Sequence, residues 1–141
     1  MMRGFRKILV ALHKSNETLL KGIKLAQDEG AWITVVKVIP PYEGDLELVG
    51  VKNIGDVLDS GAQAAIRQAN ETATSERALV KTRLEEGDAD KKIVEVAREE
   101  KCDLIIMEKD NSNFLMRLLG GNITGKVIKN APCPVLVVGA A

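Results

Sequence analysis

The chain has 141 residues, and its twenty basic and twenty acidic side chains give a formal net charge of zero. This balance gives no reason to expect nucleic-acid binding or attachment to an anionic membrane, and no run approaches the ~20 apolar residues of a membrane span. Aromatic residues make up only 3%, so a core must be built from Val, Ile, Leu and Ala. We expect one soluble, cytoplasmic domain covering 1–141.

The first third of the chain predicts two strands joined by a helix. The near-continuous apolar run Lys7–Leu12 is typical of a strand covered on both faces. Ser15 or Asn16 is placed to cap a helix that Gly30 ends. Trp32–Ile39 is the second predicted strand, and the two prolines that follow it cannot continue a strand ladder.

The middle third predicts a long helix and an edge strand. Tyr42–Asn53 is polar and lacks periodicity, which indicates a surface connection. From Gly55 to Ser75 the pattern is helical, and Ala78–Glu86 is the third predicted strand, at the edge of the sheet. The helix has a weak apolar stripe of Val57, Ala64, Ala65 and Ala69.

The last third continues the alternation of strand and helix. After Gly87 the pattern predicts a helix to about Lys101, followed by a strand at Asp103–Met107. Gly121–Asn130 is predicted as a helix, and Val135–Val138 as the fifth strand. The order βαβαβαβαβ predicts a parallel sheet with right-handed crossovers. The inward residues expected for the last helix are Ile123, Val127 and Ile128.

The two cysteines, Cys102 and Cys133, precede the fourth and fifth strands. In a parallel sheet that sets these two strands side by side, both thiols lie at the same end of the sheet and within reach of one another. Two buried thiols are the default in a reducing cytoplasm. A redox-responsive disulfide is the alternative.

Several segments together make the chain resemble the universal stress protein family over essentially its whole length. The most specific are Asp103–Met107 (DLIIM) and Ala131–Val138 (APCPVLVV). The others are KILVAL at 7–12 with Ser15 after it, Val38-Ile39-Pro40, Glu86-Gly87-Asp88, Arg117-Leu-Leu and Lys126-Val127.

The resemblance implies a single five-stranded parallel sheet in the order 3-2-1-4-5, with helices on both faces. This is the Rossmann-like arrangement of the adenine nucleotide alpha hydrolase-like folds. It also implies a homodimer joined through the last strand, and an exposed apolar edge is an aggregation hazard unless something pairs with it. The residues of that dimer strand are Val135, Leu136, Val137 and Val138.

Family members that bind ATP do so at the switch point between strands one and four, with an Asp at the end of strand one and a loop of pattern G-x-x-G-(x)9-G-[ST]. In this chain that Asp is His13, the first glycine is Glu108, the second is Asn111, the third is kept as Gly121, and the last position is Asn122. If the site is retained, the resemblance assigns nucleotide contacts to Ser15, Ile39, Gly87, Arg117, Gly121 and Asn122. Asn122 is also placed to cap the helix that follows, in the role that Ser would have.

Glu108 is the most consequential of these substitutions, because a glycine lets backbone N–H groups approach phosphates without a Cβ in the way. A carboxylate ~4 Å from a phosphate charge costs roughly 4 kcal/mol at an effective dielectric near 20, which weakens binding about a thousandfold. Asn111 is milder, since Asn tolerates left-handed backbone. Since neighbouring strands lie ~4.8 Å apart, we also expect His13 and Glu108 to meet across the switch point.

The sequence contains no catalytic constellation and no spacing typical of a metal site. The leading hypothesis is therefore a non-enzymatic, homodimeric stress-response or signalling module without a cofactor that does not bind ATP tightly. The alternative is a sensor that holds ATP or AMP in a residual switch-point site. The apolar residues around 114–119 add the possibility of a docking patch for another protein.

Overall fold

The structure is a computed structural model that describes residues 4–13, 16–39, 54–109 and 122–139, with backbone only for 54–60. Five strands alternate with four described helices, as the sequence pattern predicts. In chain order they are β1 Lys7–Ala11, α1 Glu17–Glu29, β2 Trp32–Ile39, α2 Ile54–Ser75, β3 Val80–Glu86, α3 Ala89–Glu99, β4 Leu104–Glu108, α4 Ile123–Asn130 and β5 Val135–Val138.

All strand pairs in the sheet are parallel, and the order is β3-β2-β1-β4-β5. The predicted fold class, strand order and edge position of β3 are therefore confirmed. The chain crosses from β1 to β2 in one direction and returns past β1 to β4 in the other, so the switch point lies between β1 and β4. At such a point the connections leave in opposite directions and open a crevice at the carboxyl ends of the strands.

The central strands β1 and β4 are apolar at successive positions, so both of their faces need a cover. Helices provide this cover on each side of the sheet. One face packs β1, β2 and β4 against α1 and α2, with Val10 and Ile106 fully buried. The other face packs the same strands against α3 and α4, with Leu9 and Ile105 fully buried. Each strand residue therefore belongs to one face or the other by simple alternation.

Helix α1 sits close to the sheet at a glycine. A Cβ on Gly22 would lie 2.6 Å from Val10 Cγ2, so a larger side chain there would push the helix away. The helix ends where predicted, at Gly30, whose φ of 67° is the left-handed conformation that glycine adopts without strain.

Two predicted inward faces are wrong in detail. In α2 the buried alanines are Ala62, Ala69 and Ala73, whereas Ala64 is exposed and Ala65 half-buried. In α4, Val127 is buried, but Ile128 is 54% exposed because it lies one residue, about 100°, further around the helix. Val57 lies among the residues whose side chains are not described.

The amino ends of β1 and β4 are joined by one carboxylate. The Asp103 side chain accepts the backbone N–H groups of Arg6 at 2.9 Å and Lys7 at 3.0 Å. The backbone N–H of Asp103 in turn donates to the Lys7 carbonyl at 2.9 Å. This clamp fixes the β1–β4 register. None of the helices in the described residues has both the length and the hydropathy that crossing a bilayer requires.

Candidate functional site

A cleft opens at the carboxyl ends of β1, β2 and β4, at the switch point. Its volume is about 100 Å³. The starts of α3 and α4 border it through Ala89 and Ile123, which is where helix N-termini favour negative groups. The other residues lining it are Ala11, Leu12, His13, Val36, Lys37, Val38, Ile93, Met107 and Glu108.

The floor of the cleft is apolar and belongs to the face of the sheet covered by α3 and α4. Ala11, Val36 and Met107 are buried members of that core, and Val38 and Ile123 pack against it. Sequence reasoning did not single these residues out as site residues, because alternate apolar positions at strand ends are also what an ordinary core needs. The signal that could have identified them is their place at three neighbouring strand ends.

His13 and Glu108 both line the cleft, but they do not meet as expected. The register pairs Val10 with Ile106, so Leu12 lies beside Glu108 and His13 lies beside Lys109. A shift of one residue turns a side chain to the opposite face of a sheet. The proposed His13–Glu108 pair is therefore wrong: no ion pair joins these two described side chains, and His13 is exposed.

Glu108 belongs to a row with Leu12 and Val138, which pack on the α1 and α2 face. Its Oε2 atom is buried and has no hydrogen-bond partner among the described residues. A carboxylate oxygen taken out of water without a donor is costly, by about 1–3 kcal/mol or more for a charged group. Glu108 is thus held at the rim of the cleft, and none of the described residues fixes this oxygen.

Two of the six candidate nucleotide contacts are brought together beside the cleft. The backbone N–H of Gly87 donates to the Ile39 carbonyl at 2.9 Å, which joins the end of β2 to the turn before α3. Gly87 has a φ of 146°, which favours glycine, and an added Cβ would come 2.9 Å from Lys92 Cε.

A third candidate, Asn122, caps α4 as expected. Its Oδ1 accepts the Gly125 backbone N–H at 3.2 Å. By contrast Asn16, at the corresponding position of α1, makes no side-chain cap hydrogen bond. The remaining three candidates are Ser15, Arg117 and Gly121, and they lie outside the described residues, as do the substituted position Asn111 and the apolar stretch around 114–119.

The two edges of the sheet differ in chemistry. On β5 all four residues are apolar, and Leu136 is 45% exposed. On β3 the exposed Leu84 lies between charged residues, and Arg83 forms ion pairs with Glu85 at 3.0 Å and Glu99 at 2.9 Å. Charges are a common means of keeping an edge strand unpaired, and β5 has none.

Both cysteines lie at the amino ends of the strands, opposite the cleft, and both are free thiols. Cys102 is buried in the α3 and α4 core, and Cys133 packs against the same core. Burial raises the pKa of the Cys102 thiol to about 11, and the nearby Cys133 adds to the increase. Burial also raises the pKa of the Cys133 thiol, with a further contribution from Asp103. Across the described ranges, no group of three or more potential ligands is arranged to hold a metal ion.

Comparison with known proteins places this arrangement in a family. Residues 4–139 match the model of the universal stress protein family. A universal stress protein of Methanocaldococcus jannaschii is 31% identical over 144 residues, covering 95% of this chain and 82% of that protein.

Among solved structures, the universal stress protein UspA from Lactobacillus plantarum superposes with a TM-score of 0.79 at 23% identity, covering 98% of this chain and 99% of its own. A universal stress protein in complex with cAMP superposes with a TM-score of 0.75 at 20% identity, covering 97% and 98%. At these identities the two likenesses establish a shared fold.

Proposed function

The chain belongs to the universal stress protein family, and from that premise we propose that it is a non-enzymatic, homodimeric stress-response module that does not hold ATP tightly. The size of the switch-point cleft, as the described residues line it, is the observation that supports the absence of tight ATP binding. At about 100 Å³ it is well below the roughly 300–1,000 Å³ of pockets that enclose drug-sized ligands. A nucleoside triphosphate needs a pocket in that larger range.

The chemistry of the rim supports the same conclusion. Glu108 stands where ATP-binding relatives have the first glycine of their loop, and its carboxylate adds negative charge beside the place of the phosphates. The position of Glu108 in the row of Leu12 and Val138 directs that charge partly away from the cleft floor, so the thousandfold estimate is an upper bound. The loss of the glycine itself remains, because any Cβ limits the approach of backbone N–H groups.

Nucleotide content tests the ligand part of the proposal. The protein is purified without added nucleotide, extracted with acid, and the extract is separated by chromatography; we expect no stoichiometric ATP. Calorimetric titration of the purified protein should give an ATP Kd in the millimolar range or weaker. Release of phosphate from ATP should not exceed that of a buffer blank. One ATP per chain, or ATP turnover that follows the protein through purification, would overturn the proposal.

The apolar outer edge of β5 supports the proposal of a homodimer. Its outer edge presents unpaired backbone groups and an exposed Leu136, whereas β3 is interrupted by charges. Pairing β5 with its copy would satisfy those backbone groups and cover the apolar side chains in one two-fold contact.

Matched substitutions on the two edges test it. Leu136→Lys on β5 should convert the dimer to a monomer in sedimentation velocity, since two lysines would face each other across the two-fold axis. Leu84→Lys on β3 makes the same chemical change on a residue 37% exposed and should leave the dimer intact. A wild-type monomer, or equal effects of both substitutions, would exclude β5 as the dimer contact.

A second candidate function is favoured by the apolar floor of the cleft. Ala11, Val36 and Met107 could receive an adenine ring, the Asn122-capped start of α4 lies beside them, and a protein with the same fold was solved with cAMP. The chain would then be a sensor of adenine mononucleotides, with AMP bound more tightly than ATP. The wild type and Met107→Trp, which fills the floor of the cleft, are each titrated with AMP and with ATP. AMP binding to the wild type that is lost in Met107→Trp would support the sensor function.

A further inference from the structure

Cys102 and Cys133 form a pair at the end of the sheet opposite the cleft. The register pairs Ile105 with Val135, and the Ile105 N–H donates to the Pro134 carbonyl at 3.0 Å. Extended back by two residues, this register sets Cys133 beside Asp103. Cys102 is one residue earlier, in the turn that follows α3.

Extending the strand spacing to the two cysteines, which lie just before β4 and β5, gives a separation that a disulfide can bridge. Neighbouring strands lie ~4.8 Å apart and the chain advances ~3.3 Å per residue, so a one-residue offset gives a Cα separation of about 6 Å. Disulfides span roughly 4.4–6.8 Å between Cα atoms, most often about 5.5–6 Å. Cys102 precedes β4 and so does not follow the alternation of faces along that strand; both cysteine side chains contact the same core, beside α3 and α4.

We propose that Cys102 and Cys133 are a peroxide-responsive dithiol site that closes into an intramolecular disulfide within the native fold. The bond would join the amino ends of β4 and β5. It would enclose the whole segment between them, including α4 with its Asn122 cap and the residues after Glu108.

The unequal burial of the two sulfurs sets the order of steps. Cys102 is 7% exposed, whereas Cys133 is only partly covered, so peroxide reaches Cys133 first. The Cys133 thiolate attacks one peroxide oxygen, the O–O bond breaks, and a sulfenic acid and water are formed. Cys102 then attacks the sulfenic sulfur, the S–S bond forms, and the hydroxyl leaves as water with the Cys102 proton. Two thiols are oxidised and one hydrogen peroxide is reduced to two waters.

The surroundings keep the site reduced at rest. Only thiolates attack peroxide, and burial holds both thiols largely protonated at neutral pH. Glu100 and Asp103 near Cys102 add to this effect, and Lys7 opposes it. Reaction is therefore slow under weak oxidation and accelerates with pH or with peroxide concentration.

The chain offers a clean test because it has only two cysteines. The native protein is treated with excess hydrogen peroxide, quenched with catalase, and its thiols are counted with Ellman's reagent before and after unfolding. The expected result is a fall from two thiols to none, a mass lower by two hydrogens, and no covalent dimer on a non-reducing gel. Dithiothreitol should restore both thiols.

Cys102→Ala and Cys133→Ala are the matched controls. Each has one cysteine, so neither can lose the two hydrogens, and Cys102→Ala should stop at the sulfenic acid on Cys133, trapped by dimedone. The urea midpoint of the oxidised wild type should exceed that of the reduced protein, since a bond that fits the fold restricts only the unfolded chain.

Three results would overturn the proposal. The first is two titratable thiols after treatment that fully oxidises the urea-unfolded chain. The second is covalent dimers as the main product. The third is a urea midpoint lowered by oxidation, which would mean that the bond forms only by distorting the native structure.

Discussion

The two ends of β4 carry carboxylates in opposite situations. At the amino end, Asp103 accepts two backbone N–H groups and ties β4 to β1. At the carboxyl end, Glu108 has a buried oxygen without a partner among the described residues. At the amino end the carboxylate forms hydrogen bonds that join two strands. At the carboxyl end, beside the cleft, the buried oxygen forms none with the described residues. In open α/β sheets generally, ligands bind at the carboxyl ends of the strands, which here is the end with fewer stabilising polar contacts.

Removing the amino-end clamp should have the largest effect. Asp103→Ala leaves two strand-end N–H groups without their charged acceptor, and we expect a loss of about 3 kcal/mol in the free energy of unfolding measured with urea. Asp28→Ala, which removes an exposed carboxylate from α1, should stay within about 0.5 kcal/mol. Equal effects would show that Asp103 contributes no more than a surface charge.

Unfolding at alkaline pH should test how fully the Cys102 thiol at the amino end of β4 is buried. Because the folded pKa of Cys102 is raised from its ordinary 9.0 to about 11, the neutral thiol stabilises the fold below pH 9, and this contribution is lost as the pH rises toward 11. The difference in unfolding free energy between wild type and Cys102→Ala should therefore shrink by about 2 kcal/mol over that window. A difference independent of pH would contradict the burial of the thiol.

The carboxyl end should respond in the opposite direction. Glu108→Met keeps the volume and removes the carboxylate whose Oε2 atom is buried without a hydrogen-bond partner among the described residues, so we expect the free energy of unfolding to rise by about 1.5 kcal/mol at pH 7. Glu86→Met makes the same change at the exposed end of β3 and should be neutral within about 0.5 kcal/mol. A Glu108→Met protein less stable than wild type would mean that this carboxylate has a stabilising partner.

The starts of α4 and α1 provide the smallest contrast. Asn122→Ala removes the cap of α4 and should cost about 1 kcal/mol, whereas Asn16→Ala should cost a few tenths, because Asn16 makes no cap hydrogen bond. Urea unfolding of both variants measures the difference. Similar costs would indicate that Asn122 does not hold the start of α4.

The sequence predicted the fold better than the site. Strands such as Lys7–Ala11 are short apolar runs between helical patterns, and burial on both faces leaves few other interpretations. The faces of Ala64 and Ile128 were misassigned because alanine discriminates weakly between core and surface, and because an eight-residue α4 buries only one narrow stripe. The resemblance supplied the strand order, which the structure confirms.

The amino-acid sequence alone could not predict which side chains lie side by side at the switch point. Whether His13 lies beside Glu108 or beside Lys109 depends on the register of β1 against β4, and a single step reverses the faces. That register is set by Asp103, almost a hundred residues from the backbone groups it binds. Local patterns contain no information about such a contact, whereas the cap at Asn122, a contact within one helical turn, was predicted.

The position of β1 in the middle of the sheet also has a consequence during synthesis. Of the five described strands β1 is made first, and β2 can cover one of its edges soon afterwards. Its other edge must wait for β4, about ninety residues later, which takes roughly 5–20 s at ~5–20 residues per second. For that interval the nascent chain carries an apolar, unpaired strand. The folding of this domain in the cell should therefore depend on ribosome-associated chaperones.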